Sequence, residues 1–161
     1  MKTYSKKVGP ISIGVLVFVL IFTLFPLQKS KLSSATSNRR DIPKLVEAKQ
    51  IANDTVQITF DKPCDVKKAV ASNNYWVQDT NRPSLEGIAT LLKDEKISPE
   101  NALTPDQVSI SPVDNSAKRY NLKFNNQIPA GETYRLIACN ITTAETAPYT
   151  GDNGSVDFVT K

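Results

Sequence analysis

The stretch RYNLKFNNQIPAGETYRLIACNIT, residues 119–142, decides the fold of this chain. Apolar and polar residues alternate over 120–124 and again over 134–138. Alternation with a period of two is typical of a half-buried β-strand. Between the two runs, the Pro-Ala-Gly sequence at 129–131 is a turn signal. The stretch therefore predicts two consecutive strands separated by a turn.

The same pattern recurs along the chain from residue 42 onward. Further strands are predicted at 45–51, 56–60, 74–77, 108–110 and 156–159. About seven strands in about 120 residues predict an all-β fold, an antiparallel sandwich. The last strand is expected to follow a turn at Gly151-Asp152-Asn153-Gly154.

Helix is scarce in this region. One helical turn is predicted over 65–70, and Ser98-Pro99-Glu100 has the signature of a helix start, with Ser at the N-cap and Pro at the first position. Residues 79–106 have the least regular pattern, which indicates an insertion between strands.

The N-terminal segment has a different character. Residues 8–27, VGPISIGVLVFVLIFTLFPL, contain no charge and are long enough to span a bilayer as a helix. The basic residues of 1–7 form a positive n-region, and the polar, Ser-rich residues 28–41 are typical of a flexible linker. We therefore predict a cytoplasmic n-region, a transmembrane anchor and a linker, followed by an extracellular domain at 42–161.

Cleavage of this segment as a signal peptide is the alternative. Ser33 and Ala35 form a small-residue pattern before Thr36, which would release a secreted domain. The apolar run is longer than a usual signal core, and Lys29 and Lys31 separate it from that pattern. These two features favour the uncleaved anchor.

Two blocks of sequence resemble a known family. VEAKQIANDTVQITFDKPCD (46–65) followed by NNYWV (73–77) is similar to the first half of bacterial Ig-like domains of the S-layer type, which occur in Gram-positive surface proteins. Residues 119–142 resemble the second half, where a Pro-Ala-Gly turn precedes a Tyr-led strand. The resemblance implies an Ig-like fold over roughly 44–160 and a surface or wall-associated setting. The length of 79–106 departs from the family, which has no common catalytic site.

Charge argues against nucleic acid as a partner. The whole chain has 20 basic and 16 acidic residues, but from residue 42 onward 13 bases face 15 acids, a net charge of −2. Phosphate binding needs clustered positive charge, and the positive excess lies in the first 41 residues instead. Basic residues that flank an apolar segment are typical of a membrane surface.

Composition excludes several classes of enzyme. The chain has no histidine, which removes Ser-His-Asp and Cys-His catalysis and His-ligated metals. Two cysteines are too few for a Cys-rich metal site, and no phosphate-binding glycine motif is present. We therefore predict a protein that is not an enzyme and has no cofactor, metal or catalytic residue.

The remaining candidate residues are cysteines and aromatics. Cys64 and Cys139 are a candidate disulfide for an oxidising exterior, although alternation turns Cys139 away from the core and leaves two unpaired thiols as the alternative. Tyr75 and Trp76 must face opposite sides of a regular strand, so one of them is expected to point outward and offer a binding surface. Tyr149 is a further candidate in an end loop.

Tyr134 resembles the tyrosine of an Ig-type corner, whose hydroxyl bonds an upstream backbone group. The sequence as a whole favours a membrane-anchored extracellular Ig-like module for adhesion, spacing or protein–protein contact. A module that binds cell-wall polysaccharide and an accessory subunit of a membrane complex are the alternatives. The expected partners are the membrane, through 8–27, and an unknown protein or wall glycan.

Overall fold

The computed structural model of the chain describes residues 42–161, apart from Pro83 and Glu145. The predicted n-region at 1–7, transmembrane helix at 8–27 and linker at 28–41 lie outside the described residues. Within the described part of the chain, no helix has both the length and the apolar character needed to cross a membrane.

Two antiparallel sheets make up the domain, so the predicted all-β class is confirmed. The four-stranded sheet has the order β1-β2-β5-β4 and the three-stranded sheet has the order β3-β6-β7. The strands are β1 Leu45–Ala52, β2 Thr55–Phe60, β3 Tyr75–Asp79, β4 Val108–Pro112, β5 Arg119–Phe124, β6 Thr133–Cys139 and β7 Asp152–Val159. The two strands of the deciding stretch, β5 and β6, therefore belong to different sheets.

One continuous core lies between the sheets. The alternating positions of β2 and β5 pair across the first sheet, with Ile58 opposite Tyr120 and Val56 opposite Leu122. These side chains pack with Val77 and other inward residues of the second sheet in a single buried cluster. Apolar residues at every second position thus fill the space between two sheets, as the period of the pattern predicts.

Strand β7 runs beside β1 along one side of the domain. Gly154, near the start of β7, lies against the backbone of Leu45 at the start of β1, and the backbone N–H of Lys161 donates to Oε1 of Gln50 at 2.7 Å. The two strands therefore run in the same direction. The chain enters the domain at one end and leaves β7 at the opposite end.

The structure corrects the turn that the sequence predicts at residues 151–154. Strand β7 begins at Asp152, so most of the predicted turn is strand. Asn153 is fully buried, and its Nδ2 donates to the carbonyl oxygens of Pro43 at 2.8 Å and Ile141 at 2.7 Å. These partners are distant in sequence, so the local Asp-Asn-Gly signal indicates a turn where tertiary hydrogen bonds impose a strand.

The irregular segment after β3 covers the outer face of the second sheet. The backbone N–H groups of Thr90 and Leu91 donate to the carbonyl oxygen of Val77 at 2.7 and 3.0 Å. The N–H of Leu103 donates to the carbonyl oxygen of Tyr75 at 2.9 Å. The insertion predicted from the sequence thus covers β3 and removes an open sheet edge, which would be prone to pairing with other chains.

Both helical signals of the sequence are present. The helix α1, Val66–Ala69, has Asp65 at its N-cap, and the carboxylate accepts from the N–H of Lys67 at 2.8 Å. The turn Pro99–Asn101 is a 3₁₀ helix with a capping box between Ser98 and Asn101.

Candidate functional site

The two cysteines are free thiols on opposite sides of the second sheet. Cys64 belongs to the core between the sheets, whereas Cys139 packs with Trp76 and Leu91 beneath the insertion. The candidate disulfide is therefore not formed in this structure. Burial, together with Asp61 and Asp65, raises the pKa of Cys64 to about 12, and burial also raises the pKa of Cys139. Thiols with raised pKa values are poor nucleophiles at neutral pH.

Tyr75 and Trp76 face opposite sides of β3, as alternation predicts, but neither ring is exposed. Tyr75 lies in the core at 0% exposure, and its hydroxyl donates to the carbonyl oxygen of Ala69 at 2.7 Å. Trp76 is 5% exposed because the insertion covers it. The strand on its own indicates one outward ring, since nothing local shows that an irregular segment will cover it.

Tyr134 does not make the hydrogen bond of a tyrosine corner. Its hydroxyl is buried and has no hydrogen-bond partner among the described residues. The hydroxyl of Tyr120 instead donates to the carbonyl oxygen of Ala117, three residues upstream, at 3.0 Å. This tyrosine therefore makes the local backbone contact that the sequence resemblance implies for Tyr134.

A cleft of about 450 Å³ lies beside Trp76, at the end of the second sheet. Its apolar wall comes from β3, the insertion and the end of β6, with the residues Trp76, Ile97, Pro99 and Cys139. Its polar rim comes from three separate segments, with the residues Asn73, Asn140 and Asp152. Mostly apolar concave sites of this size with a few polar groups are typical of ligand pockets.

Hydrogen bonds fix the insertion wall of the cleft. The indole N–H of Trp76 donates to the carbonyl oxygen of Ser98 at 2.9 Å and to Oδ1 of Asn101 at 3.0 Å. The same Oδ1 accepts from the backbone N–H of Ser98 at 2.8 Å. The hydrogen bonds of Trp76 therefore hold residues 97–101 against the sheet.

Asn140 and Gly151 fix the opposite wall. Asn140 has a φ of 62°, in the left-handed region that Asn tolerates better than most residues. Its backbone N–H donates to the carbonyl oxygen of Gly151 at 2.8 Å, and the Gly151 N–H donates back to its Oδ1 at 3.0 Å. Gly151 has a φ of 154°, which residues with a side chain rarely adopt, and a Cβ there would lie 2.7 Å from the hydroxyl oxygen of Tyr149, so a side chain at this position would be strained.

Tyr149 supports the cleft from outside. Its hydroxyl donates to the carbonyl oxygen of Asp152 at 3.0 Å, and its ring lines a second pocket with Ile42 and Lys44. Of the three aromatic candidates from the sequence, the structure thus places Trp76 in the cleft wall, Tyr149 behind the wall and Tyr75 in the core.

The lining of the cleft includes one acidic side chain, and the ammonium of nearby Lys44 donates to the backbone carbonyl oxygen of that residue at 3.2 Å. Among the described residues that line it, Asp152 is the single charged side chain. Sequence patterns pointed to Trp76 but not to Asn140 or Ile97. The one local signal for Asn140 is its place directly after a strand, where Asn is common because it adopts a left-handed backbone.

Comparison with known proteins places the fold. No protein-family model matches this sequence, and no curated protein matches it. The crystal structure of the N-terminal part of the bacterial S-layer protein SbsC is similar, with a TM-score of 0.51 and 14% identity over 74% of this chain. The S-layer protein rSbsC(31-844) has a TM-score of 0.50 and 15% identity over 73% of this chain.

This chain spans 24% of the first of these proteins and 13% of the second. The domain therefore shares its fold with part of much larger bacterial surface proteins. At this level of identity the likeness concerns the fold alone.

Proposed function

We propose that residues 42–161 form a non-enzymatic spacer and contact module that residues 8–27 hold at the outer face of a bacterial membrane. The observation that carries this proposal is the parallel run of β1 beside β7, with the chain entering at the Leu45 end and leaving at the Lys161 end. When the chain enters and leaves a domain at opposite ends, the exit lies one domain length away from the point of attachment.

That length follows from strand geometry. The eight residues of β1, at about 3.3 Å each, span about 26 Å. The SbsC proteins, which share this fold, are surface-layer proteins, and a surface setting agrees with the apolar segment and polar linker that precede the domain. A fold shared with a structural protein supports a structural role without fixing it.

The described chemistry supports a role without catalysis. The chain has no histidine to transfer protons near neutral pH, and burial raises the pKa values of both thiols. Turnover of a small molecule by the purified full chain, lost on substitution of a described residue, would contradict the proposal.

Protease treatment of intact cells tests the location. The full chain with a C-terminal epitope is expressed in a Gram-positive host, and its control carries Leu16→Arg and Leu20→Arg in the predicted anchor. We expect the wild-type domain to remain with membranes after alkaline washing and to be digested on intact cells, and the control to be protected inside. Protection of the wild-type domain would refute the extracellular placement, and recovery of a shortened form from the medium would refute the uncleaved anchor.

A further inference from the structure

We propose that the cleft beside Trp76 binds a neutral, N-acetylated sugar, as found in amino-sugar glycans. This inference goes beyond a spacer and contact role, because it assigns a ligand class to one site whose residues come from four separate parts of the chain. It does not depend on the location of the protein, so the cell-surface experiment and the binding experiment below can fail independently.

The apolar wall provides a place for a methyl group. Ile97 is a large apolar side chain that is 43% exposed at the mouth of the cleft, and Pro99 is exposed beside it. Burial of apolar surface is favourable by roughly 25 cal/mol per Å². The methyl of an acetamido group is small enough to pack against Ile97 and Pro99 while the sugar ring stays at the rim.

The polar rim offers both donors and acceptors. The Gly151 N–H donates to Oδ1 of Asn140. No described residue accepts from Nδ2 of Asn140, so this amide group remains a donor for the ligand. The side chain of Asn73 is exposed and supplies both a donor and an acceptor. Oδ1 of Asp152 accepts from the Gly154 N–H at 2.6 Å, which leaves Oδ2 as an acceptor.

Sugar hydroxyls and acetamido groups match this set. A hydroxyl both donates and accepts, an acetamido carbonyl accepts from an amide such as Nδ2 of Asn140, and an acetamido N–H donates to an oxygen such as that of Asp152. The charge of Asp152, with no basic side chain among the described lining residues, disfavours phosphate or carboxylate groups at this position. A neutral sugar is therefore the better match.

An extended peptide is the less suitable occupant. Peptides commonly bind by adding a strand to an open sheet edge, through main-chain hydrogen bonds. The edge of β3 next to the cleft already bonds the backbones of Leu91 and Leu103. The cleft instead offers side-chain amides on converging loops, an arrangement that fits a compact ligand.

The cleft is also largely preformed. The mutual hydrogen bonds of Asn140 and Gly151 fix one wall, and the indole N–H of Trp76 fixes the other. A site that is ordered before binding loses less conformational entropy when the ligand binds. Because Trp76 is only 5% exposed, its ring face is not available for stacking, so we expect specificity to come from the acetamido group.

Trp76 allows a direct test, because it is the single tryptophan of the chain and lines the cleft. The full chain in a zwitterionic detergent, which carries no sugar headgroup, is titrated with chitotriose while tryptophan fluorescence is recorded. Cellotriose, which has the same linkage but hydroxyls in place of acetamido groups, is the matched control ligand. We expect a saturable change with chitotriose and at least about tenfold weaker binding of cellotriose, which corresponds to about 1.4 kcal/mol.

Two variants place the response in the cleft. Asn140→Asp keeps the acceptor for Gly151 and the tolerance of a left-handed backbone but removes the free amide donor, and we expect about tenfold weaker binding. Asn115→Asp makes the same change on the exposed loop between β4 and β5 and is expected to bind like wild type. Asp152→Asn is the second cleft variant, used if Asn140→Asp lowers the melting temperature.

Several outcomes would overturn the inference. No response to chitotriose would refute sugar binding in the cleft. An equal response to cellotriose would refute recognition of the acetamido group. Wild-type affinity in both cleft variants places binding elsewhere. A saturable response to trialanine without one to chitotriose would assign the cleft to peptides and refute the sugar.

Discussion

The side-chain amide of Asn153 forms hydrogen bonds with both backbone groups of Ile141. Oδ1 of Asn153 accepts from the Ile141 N–H at 2.8 Å, and its Nδ2 donates to the Ile141 carbonyl oxygen at 2.7 Å. The same Nδ2 donates to the carbonyl oxygen of Pro43 at 2.8 Å. One buried amide thus joins the entry of β1, the segment after β6 and the start of β7, where the backbone groups would otherwise be buried without partners.

Replacement of Asn153 by Ala is expected to destabilise the domain strongly. The change leaves the Ile141 N–H and two carbonyl oxygens without these partners, and each unsatisfied buried group costs about 1–3 kcal/mol. Some relaxation will occur, so we expect the free energy of unfolding to fall by about 3 kcal/mol, measured by urea denaturation. Asn115→Ala, on an exposed turn, is the control and should change stability little. Equal stability of the two variants would show that the Asn153 contacts contribute nothing.

Trp76→Phe is expected to loosen the insertion while leaving the sandwich folded. Phenylalanine keeps most of the apolar contact but has no N–H to donate to Ser98 and Asn101. Exposed Lys93 and Lys96 lie in the same segment, so we expect faster tryptic cleavage after these two residues, measured by mass spectrometry.

Tyr75→Phe is the matched control for that experiment. It also removes one side-chain donor from β3, but the lost hydrogen bond joins Tyr75 to Ala69 on the core side of the sheet. Its stability is expected to fall by about 1 kcal/mol without faster cleavage after Lys93 or Lys96. The same cleavage rate in both variants would show that the indole N–H of Trp76 does not hold residues 97–101 in place.

The strands themselves were predictable because alternation is a local property. All seven strands overlap the segments where period-two patterns or β-branched and aromatic residues predict them, although β7 begins at Asp152 instead of Val156, and the one-turn helix follows from Asp65 as an N-cap. Which sheet each strand joins was not predictable, since β5 and β6 follow one another in sequence yet lie in different sheets. That assignment depends on pairing between distant segments.

The cleft lay beyond sequence reasoning for the same reason. Its residues come from β3, the insertion, the end of β6 and the start of β7, and no pattern in any one segment indicates that they meet. The burial of Trp76 depends on an insertion without periodicity. The strand position of Asn153 depends on carbonyl groups that include one 110 residues away.

Alkaline pH is expected to destabilise the domain, with a contribution from Cys64. Its pKa rises from 9.0 to about 12 on folding, so its contribution to stability is complete below pH 9 and is lost as the pH rises from 9 towards 12. Burial raises the pKa of Tyr75 and Tyr120 from 10.0, and these tyrosines lose their contribution at still higher pH.

Cys64→Ala separates the thiol from the tyrosines. Urea denaturation under reducing conditions between pH 7 and pH 11 should show wild-type stability declining from about pH 9, and the variant declining less steeply between pH 9 and pH 10, where Cys139, whose pKa burial also raises, still contributes. The variant will be less stable than wild type at pH 7, because a small cavity replaces the thiol, so the comparison concerns the slope with pH. Parallel curves for the two proteins would exclude Cys64 as the titrating group.

Acidic pH acts through Asp114, at the loop before β5. Its carboxylate accepts from the backbone N–H of Ser116 at 2.8 Å and from Nε of Arg119 at 3.1 Å, and contacts with both residues lower its pKa from 3.8 to about 2. A carboxylate whose pKa is lowered in the folded state contributes stability at pH values above its unfolded-state pKa, and that contribution is lost as the pH falls from 3.8 towards 2.

Asp114→Asn should therefore lower stability at pH 6 and show a smaller loss of stability than wild type between pH 4 and pH 2, measured by thermal denaturation. Asp106→Asn, at an exposed position, is the control and should follow the wild-type pH dependence. If Asp114→Asn keeps the full wild-type loss between pH 4 and pH 2, the contacts with Ser116 and Arg119 do not stabilise the fold. If it flattens that loss, they hold the loop that starts β5.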